Sequence, residues 1–133
     1  KMTIYHPFQK IYFNNYFNEI THLKFEIDYD GLSGKKFLKE ILVLEKNKNV
    51  INIGVASWYP LHRSIKLLDK KDRKKINIVG QDFQKADYIY SNFISEVDKN
   101  INDKYKIPSN FTTISKFILD DITVYEVFKK NKL

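Results

Sequence analysis

Two short apolar runs, separated by a helical pattern, constrain the fold of this chain more than any other feature. Residues 50–57 (VINIGVAS) and 76–80 (INIVG) are rich in β-branched residues and have the length of buried strands. Between them, Pro60 suits the first turn of a helix that we expect to reach about Leu68. An amphipathic helix is predicted ahead of them, over residues 35–46. Strands that alternate with helices indicate a parallel portion of sheet.

The second half of the chain is dominated by strand patterns. Residues 85–93 are predicted as a third strand and residues 94–110 as a loop. Residues 111–119 and 122–130 flank two aspartates and predict a terminal antiparallel hairpin. At 133 residues the chain has the size of one ordinary domain. We therefore predict a single α/β domain with a mixed sheet of about five strands, flanking helices and a C-terminal β-hairpin.

The first 18 residues form an aromatic segment that differs from the rest of the domain, residues 19–133. The segment contains six regularly spaced aromatic residues: Tyr5, Phe8, Tyr12, Phe13, Tyr16 and Phe17. We predict a short helix or turn with a wide aromatic face. Such side chains suit a membrane–water interface, and they suit equally well a segment packed on the domain's own sheet. Periodicity leaves both interpretations open.

A cluster of turn-forming residues precedes the first predicted helix. Residues 23–29 alternate apolar and polar side chains as a short strand does, and DYDGLSGKK follows from Asp28. We expect Ser33, next to Gly34, to be the N-cap of the helix. Two lysines at positions 35 and 36 come where the helix dipole disfavours cations. This mismatch is a mild indication of an anionic partner, although a solvated lysine pair is the simpler interpretation.

The chain is strongly basic, with a formal net charge of +7. This charge is compatible with nucleic acid, anionic lipid head groups and phosphorylated substrates, and it is also what an A/T-rich coding genome produces. The most basic run, residues 69–75, contains no interleaved aromatic residues, which a nucleic-acid stacking surface would require. We interpret it as a solvated loop or a patch that contacts anionic lipid, and nucleic acid is not an expected partner.

The sequence carries no residue spacing typical of a catalytic or metal site. It has no cysteine, and its histidines form no HxxxH or HExxH pattern. A hard-cation site would need the convergence of four residues: His6, His22, Asp28 and Asp30. Ser57 ends a strand where α/β enzymes often place functional groups, but a helix N-cap is the preferred interpretation. We therefore predict no catalytic residue, no metal and no cofactor.

Six residues are candidate binding residues because they place aromatic or polar side chains at turns, strand ends or the aromatic segment. They are His6, Tyr12, Asp28, Asp30, Ser33 and Trp58.

Two N-terminal stretches resemble a known family. HPFQKIYFN (6–14) and FEIDYDGLSGKKFLKEI (25–41) resemble a pattern near the C-terminus of bacterial multi-pass membrane proteins of the GT-C type. Those proteins are polyprenyl-phosphate-sugar-dependent glycosyltransferases, similar to the protein O-mannosyltransferase superfamily. ADYIYSNF (86–93) and VYEVFKK (124–130) resemble the tail of the same family. The family's aromatic residue after Asp-Tyr is replaced here by Asp30, which puts any packing or stacking role of that aromatic in doubt.

The resemblance implies a soluble domain cut from a longer membrane protein and attached to the membrane on its extracytoplasmic side, periplasmic or extracellular. Residues 1–18 would link it to the last membrane span. In that family the catalytic acidic residues lie between earlier spans, so this domain would be non-catalytic and accessory. The implied partners are the parent transmembrane region, the membrane surface, and a glycan or polyprenyl-phosphate-linked sugar. The alternative is a protein- or glycan-binding module without any transferase association.

Overall fold

The structure of the protein, a computed structural model, describes residues 32–94, 99–119 and 121–132. In these ranges the elements follow one another in the order α1 (Leu32–Leu44), β1 (Ile51–Val55), α2 (Leu61–Ile65), α3 (Lys70–Arg73), β2 (Ile76–Gly80), β3 (Tyr88–Ser91), a 3₁₀-helix (Lys99–Tyr105), β4 (Phe111–Leu119) and β5 (Ile122–Lys130). None of the helices in these ranges is long and apolar enough to cross a membrane.

The strands form one mixed sheet. Their order is β2-β1-β3-β5-β4, so the first three strands in the chain occupy one half of the sheet. β1 pairs in parallel with both β2 and β3, as the alternation of strands and helices predicts. β5 pairs antiparallel with β3 and with β4, so the C-terminal hairpin completes the sheet. The predicted α/β domain with a five-stranded mixed sheet is confirmed.

The core lies on both faces of the central strand β3. On one face, Tyr88 and Tyr90 pack with Phe37 of α1 and with Tyr125 of β5. On the other face, Ile89 belongs to a smaller apolar cluster. Its other buried members are two alanines and two phenylalanines: Ala56, Ala86, Phe83 and Phe111. A strand covered on both faces is typical of the centre of an α/β sheet. The side chains of β3 therefore pack the sheet against α1.

Several predicted boundaries differ from those in the structure. The third strand is four residues long and ends at Ser91, whereas the prediction extended it to residue 93. The basic run contains the short helix α3, and the predicted loop after β3 contains the 3₁₀-helix. The second predicted helix ends at Ile65, three residues early. The aromatic segment, the strand predicted at 23–29 and the turn at 28–31 lie outside the described residues.

The interpretation of Ser33 and Gly34 as turn and N-cap residues is wrong, because α1 begins at Leu32 and contains both. Gly34 is needed for close packing against α2. A Cβ atom at Gly34 would lie 2.4 Å from Ser64 Oγ and 2.9 Å from Leu61 Cδ1. The Ser33 hydroxyl, also buried, is hydrogen-bonded to the Tyr90 hydroxyl at 2.5 Å. Both residues therefore attach the start of α1 to its neighbours.

Candidate functional site

The first candidate site is the β1–β3 rim, which we define as residues 56–58, directly after β1, and residues 91–94, which begin with the last residue of β3. β1 and β3 are neighbours in the sheet, so their carboxyl ends meet at the same edge. The chain leaves β1 toward β2 on one side and leaves β3 toward the hairpin on the other. In open α/β sheets, this divergence of connections creates the crevice where ligands bind.

The hydrogen bonds at the rim show where β3 departs from a regular strand. Ala56 N–H still donates to the Tyr90 carbonyl at 2.8 Å, as the parallel ladder requires. Trp58 N–H donates to the Ile94 carbonyl at 2.8 Å, whereas an unbroken ladder would use residue 92. The Ser91 hydroxyl donates to the Ala56 carbonyl at 2.9 Å. A side chain thus takes the place of the next backbone donor, and β3 ends there.

A compact turn follows Ser91 and presents an aromatic side chain to solvent. Phe93 N–H donates to Ser91 Oγ, and Ile94 N–H donates to Asn92 Oδ1, both at 3.3 Å. Phe93 has φ 63°, a left-handed conformation that is uncommon for a bulky residue. Such backbone strain costs about 1–3 kcal/mol and is concentrated at functional sites. The Phe93 side chain is 53% exposed.

The structure places the predicted binding residue Trp58 at this rim, with 49% of its surface exposed. The preceding residue, Ser57, is only 2% exposed, and Asn92 across the rim is 4% exposed. Ser57 Oγ and Asn92 Nδ2 have no hydrogen-bond partner in the described part of the chain. Because nearly all buried polar groups in native proteins are paired, these two need an explanation. The N-cap interpretation of Ser57 is wrong, since the N-cap of α2 is Pro60.

The second candidate site is the α1–β4 groove, an open groove of about 990 Å³ between α1 and the hairpin. Its lining is Lys35, Lys36, Lys39, Glu40, Ile41, Val43, Leu44, Ile114, Ser115 and Val127. Residues four apart share a helix face, so α1 contributes two stripes, one of which is Lys35–Lys39–Val43. The groove is therefore cationic along the first half of α1 and apolar near the end of the helix.

The cations of the groove are not equivalent. Lys36 is paired with Glu40 at 2.5 Å and lies 4.9 Å from the centre of the Phe117 ring. Glu40 also accepts a hydrogen bond from the Tyr125 hydroxyl at 3.0 Å, so this carboxylate is already engaged. Lys35 and Lys39 form no ion pair with any residue that the structure describes. Among the described residues, these two cations of the groove are left without an ion-pair partner and could meet an anion.

The apolar end of the groove is exposed on both walls. Val43 and Leu44 on α1, with Ile114 on β4, are large apolar side chains open to solvent. Beneath them, Ile41 and Val127 are buried and belong to the lining. Exposed apolar side chains that line a groove together with charged residues suit the binding of an amphiphilic ligand.

A polar network beyond the groove joins α1 to the sheet. The Tyr88 hydroxyl donates to Glu45 Oε1 at 2.5 Å, and Lys129 Nζ lies 3.5 Å from the same oxygen. The hydrogen bond from Tyr88 lowers the pKa of the Glu45 carboxyl, with Lys48 and Lys129 acting in the same direction. Burial raises the pKa of the Tyr88 hydroxyl, and its bond to Glu45 adds to this effect. These groups satisfy one another, so we assign them a structural role.

The remaining predicted site residues are not brought together by the described structure. Ser33 lies in neither candidate site, and its part in binding stays a prediction. Four other candidates lie outside the described residues: His6, Tyr12, Asp28 and Asp30. Sequence reasoning missed Asn92, Phe93 and the β4 wall of the groove. It did single out the lysines at the start of α1, from their mismatch with the helix dipole.

Within the described ranges no group of three or more histidine, aspartate or glutamate side chains is placed to hold a metal ion. No family model matches the sequence, and neither the curated proteins nor the solved structures contain a match.

Proposed function

We propose that this chain is a non-catalytic accessory domain of a membrane glycosyltransferase-like protein that uses polyprenyl-phosphate sugars. In this proposal the domain is attached to the membrane on its extracytoplasmic side, with the parent transmembrane region as its principal partner. The motifs that resemble the GT-C family suggest the context. The observation that carries the proposal is the α1–β4 groove, which is cationic at one end and apolar at the other.

The chemistry of the groove is complementary to a polyprenyl phosphate. Such a lipid joins a branched hydrocarbon chain to a phosphate. The groove offers an apolar surface beside Lys35 and Lys39, two lysines without an ion-pair partner among the described residues. Burial of hydrocarbon contributes about 0.8 kcal/mol per CH₂ group. Lysine is a common phosphate ligand that acts as a point charge and tolerates varied geometry. Together, the burial of hydrocarbon and the attraction of the lysines for phosphate favour the binding of an anionic amphiphile over that of a simple anion or a neutral lipid.

An accessory role suits the residues that the groove contains. The carboxylate among its described lining residues, Glu40, is held by Lys36 and the Tyr125 hydroxyl. The lysines Lys35 and Lys39 bind charge without supplying a nucleophile–base pair. The groove would therefore hold the lipid carrier beside the membrane while the transfer reaction takes place elsewhere in the parent protein.

The test is calorimetric titration of the chain with farnesyl phosphate, a short and soluble prenyl phosphate. We expect farnesyl phosphate to bind at least about tenfold more tightly than farnesol or inorganic phosphate, a difference of about 1.4 kcal/mol. The double variant Lys35→Ala, Lys39→Ala should bind farnesyl phosphate about tenfold more weakly than the unchanged chain.

The matched control is Lys70→Ala, Lys71→Ala, which removes two exposed cations from α3. If the control weakens binding as much as the groove variant, the attraction comes from net charge and the groove has no part in it. If farnesol bound as tightly as farnesyl phosphate, the phosphate would contribute nothing to binding, and the proposed role of the lysines would be wrong.

The second candidate is a glycan-binding module without a transferase association. The observation that favours it is the β1–β3 rim, where the exposed Trp58 directly follows Ser57, and where Ser57 Oγ and Asn92 Nδ2 have no hydrogen-bond partner in the described part of the chain.

A further inference from the structure

We propose that the β1–β3 rim is a binding subsite for one neutral sugar ring. This subsite is separate from the α1–β4 groove and does not depend on the lipid that the groove holds. A pyranose has an apolar face of C–H groups, which packs on aromatic rings, and hydroxyl groups that both donate and accept hydrogen bonds. The rim offers both kinds of partner in adjacent residues.

The aromatic partners are Trp58 and Phe93, both about half exposed. The backbone under Trp58 is fixed by its hydrogen bond to Ile94, and the turn fixes Phe93 in its left-handed conformation. The turn presents the Phe93 ring to solvent one residue before Ile94, whose carbonyl accepts the N–H of Trp58, the only tryptophan of the chain. Rigid aromatic side chains supply contact area at a low cost in conformational entropy.

The polar partners immediately precede the two aromatic residues. Asn92 Oδ1 already accepts the Ile94 N–H, so the amide orientation is set and Nδ2 is left as a free donor. Ser57 Oγ, also unpaired within the described residues, is able to donate and to accept. Both atoms are covered in the free protein. The proposal therefore requires a local rearrangement of the rim that opens these atoms to the hydroxyl groups of a ligand.

The rim favours a neutral ligand over a charged one. Residues 56–60 and 91–94 contain no ionisable side chain that is charged at neutral pH. A nucleotide would find aromatic rings for its base but no cation in these segments for its phosphate. A neutral ring with several hydroxyl groups is able to use all four side chains. An uncharged nucleoside is the competing occupant, and the experiment includes it.

The single tryptophan makes the proposal directly testable, because its fluorescence reports on the rim alone. The chain is titrated with the methyl glycosides of mannose, glucose and N-acetylglucosamine, and with adenosine. We expect at least one glycoside to give a saturable change in emission, with a dissociation constant on the order of 1 mM, and adenosine to give none. Backbone amide shifts in a ¹⁵N NMR spectrum, confined to residues 56–58 and 91–94, provide a second readout.

Ser57→Ala separates binding from structure. It should weaken glycoside binding at least about fivefold while leaving the thermal unfolding midpoint unchanged or higher, because the hydroxyl has no partner in the described residues. The matched control is Val50→Ala, which truncates an exposed apolar side chain just before β1, at the opposite edge of the sheet. The control should bind as the unchanged chain does.

Three results would overturn the proposal. The first is a folded chain that shows neither a saturable fluorescence change nor rim-specific NMR shifts with any glycoside. The second is saturation by adenosine alone, which would assign the rim to a nucleobase. The third is a Ser57→Ala variant that keeps full affinity and unfolds at a lower temperature, which would make the hydroxyl a structural group satisfied by water.

Discussion

The close packing of α1 on α2 at Gly34 predicts that even one added methyl group destabilises the domain. In Gly34→Ala the new Cβ would lie 2.4 Å from Ser64 Oγ and 3.0 Å from Ser64 Cβ, well inside van der Waals contact. Ser64 is buried and its hydroxyl lies 3.3 Å from the Tyr59 hydroxyl, so it has little room to move. Overpacking of this kind costs about 1–3 kcal/mol.

Alanine is also a better helix former than glycine, by about 1 kcal/mol, and this gain offsets part of the cost. We therefore expect Gly34→Ala to lower the free energy of unfolding by up to about 2 kcal/mol, or the unfolding midpoint by up to about 8 °C. Urea titration followed by circular dichroism measures the first quantity. Adding Ser64→Ala, which removes the nearest atom, should recover about 1 kcal/mol in a double-mutant cycle. A Gly34→Ala chain that is more stable than the original by the full propensity gain of about 1 kcal/mol would refute the close approach of α1 and α2.

Three further predictions concern the rim and the polar network. Ser57→Ala should raise the free energy of unfolding by about 1 kcal/mol, because a buried unpaired hydroxyl costs about 1–3 kcal/mol; a loss in urea titration would mean that the hydroxyl is paired. Phe93→Gly should stabilise the chain by up to about 1 kcal/mol, since glycine adopts φ 63° without strain, whereas Phe93→Ala should not. The pKa of Glu45 is lower in the folded than in the unfolded chain, so its stabilising effect is present above the ordinary glutamate pKa of about 4.3 and is lost as the pH falls through the folded pKa. Glu45→Gln should therefore flatten the acid limb of a plot of unfolding midpoint against pH, and an unchanged limb would contradict this.

The fold was predictable where it depends on local pattern. The strand predicted at 76–80 matches β2 residue for residue. A short run of β-branched residues between polar segments strongly favours a strand. The end of β3 was not predictable in the same way. It depends on the Ser91 hydroxyl reaching the Ala56 carbonyl, a contact between segments 35 residues apart in the chain.

The start of α1 and the two candidate sites likewise depend on contacts between segments that are distant in the sequence. Ser33 and Gly34 have the local chemistry of a turn, but their roles are set by Tyr90 and Ser64, which no local pattern reveals. Trp58 was identifiable as an aromatic residue after a strand. Its unpaired neighbours became visible only when β1 and β3 were paired. The groove needs α1 and β4, which are distant in sequence, so the sequence could indicate only its lysine-rich wall.

The most direct test of the central claim is to locate a bound prenyl phosphate by NMR. Intermolecular nuclear Overhauser effects are measured between the methyl groups of farnesyl phosphate and the side-chain methyl groups of the saturated protein. We predict contacts to Val43 and Leu44 on α1 and to Ile114 on β4, because these exposed side chains form the two apolar walls. Saturable binding whose contacts lie on other surfaces of the domain, with none to either wall of the groove, would contradict it.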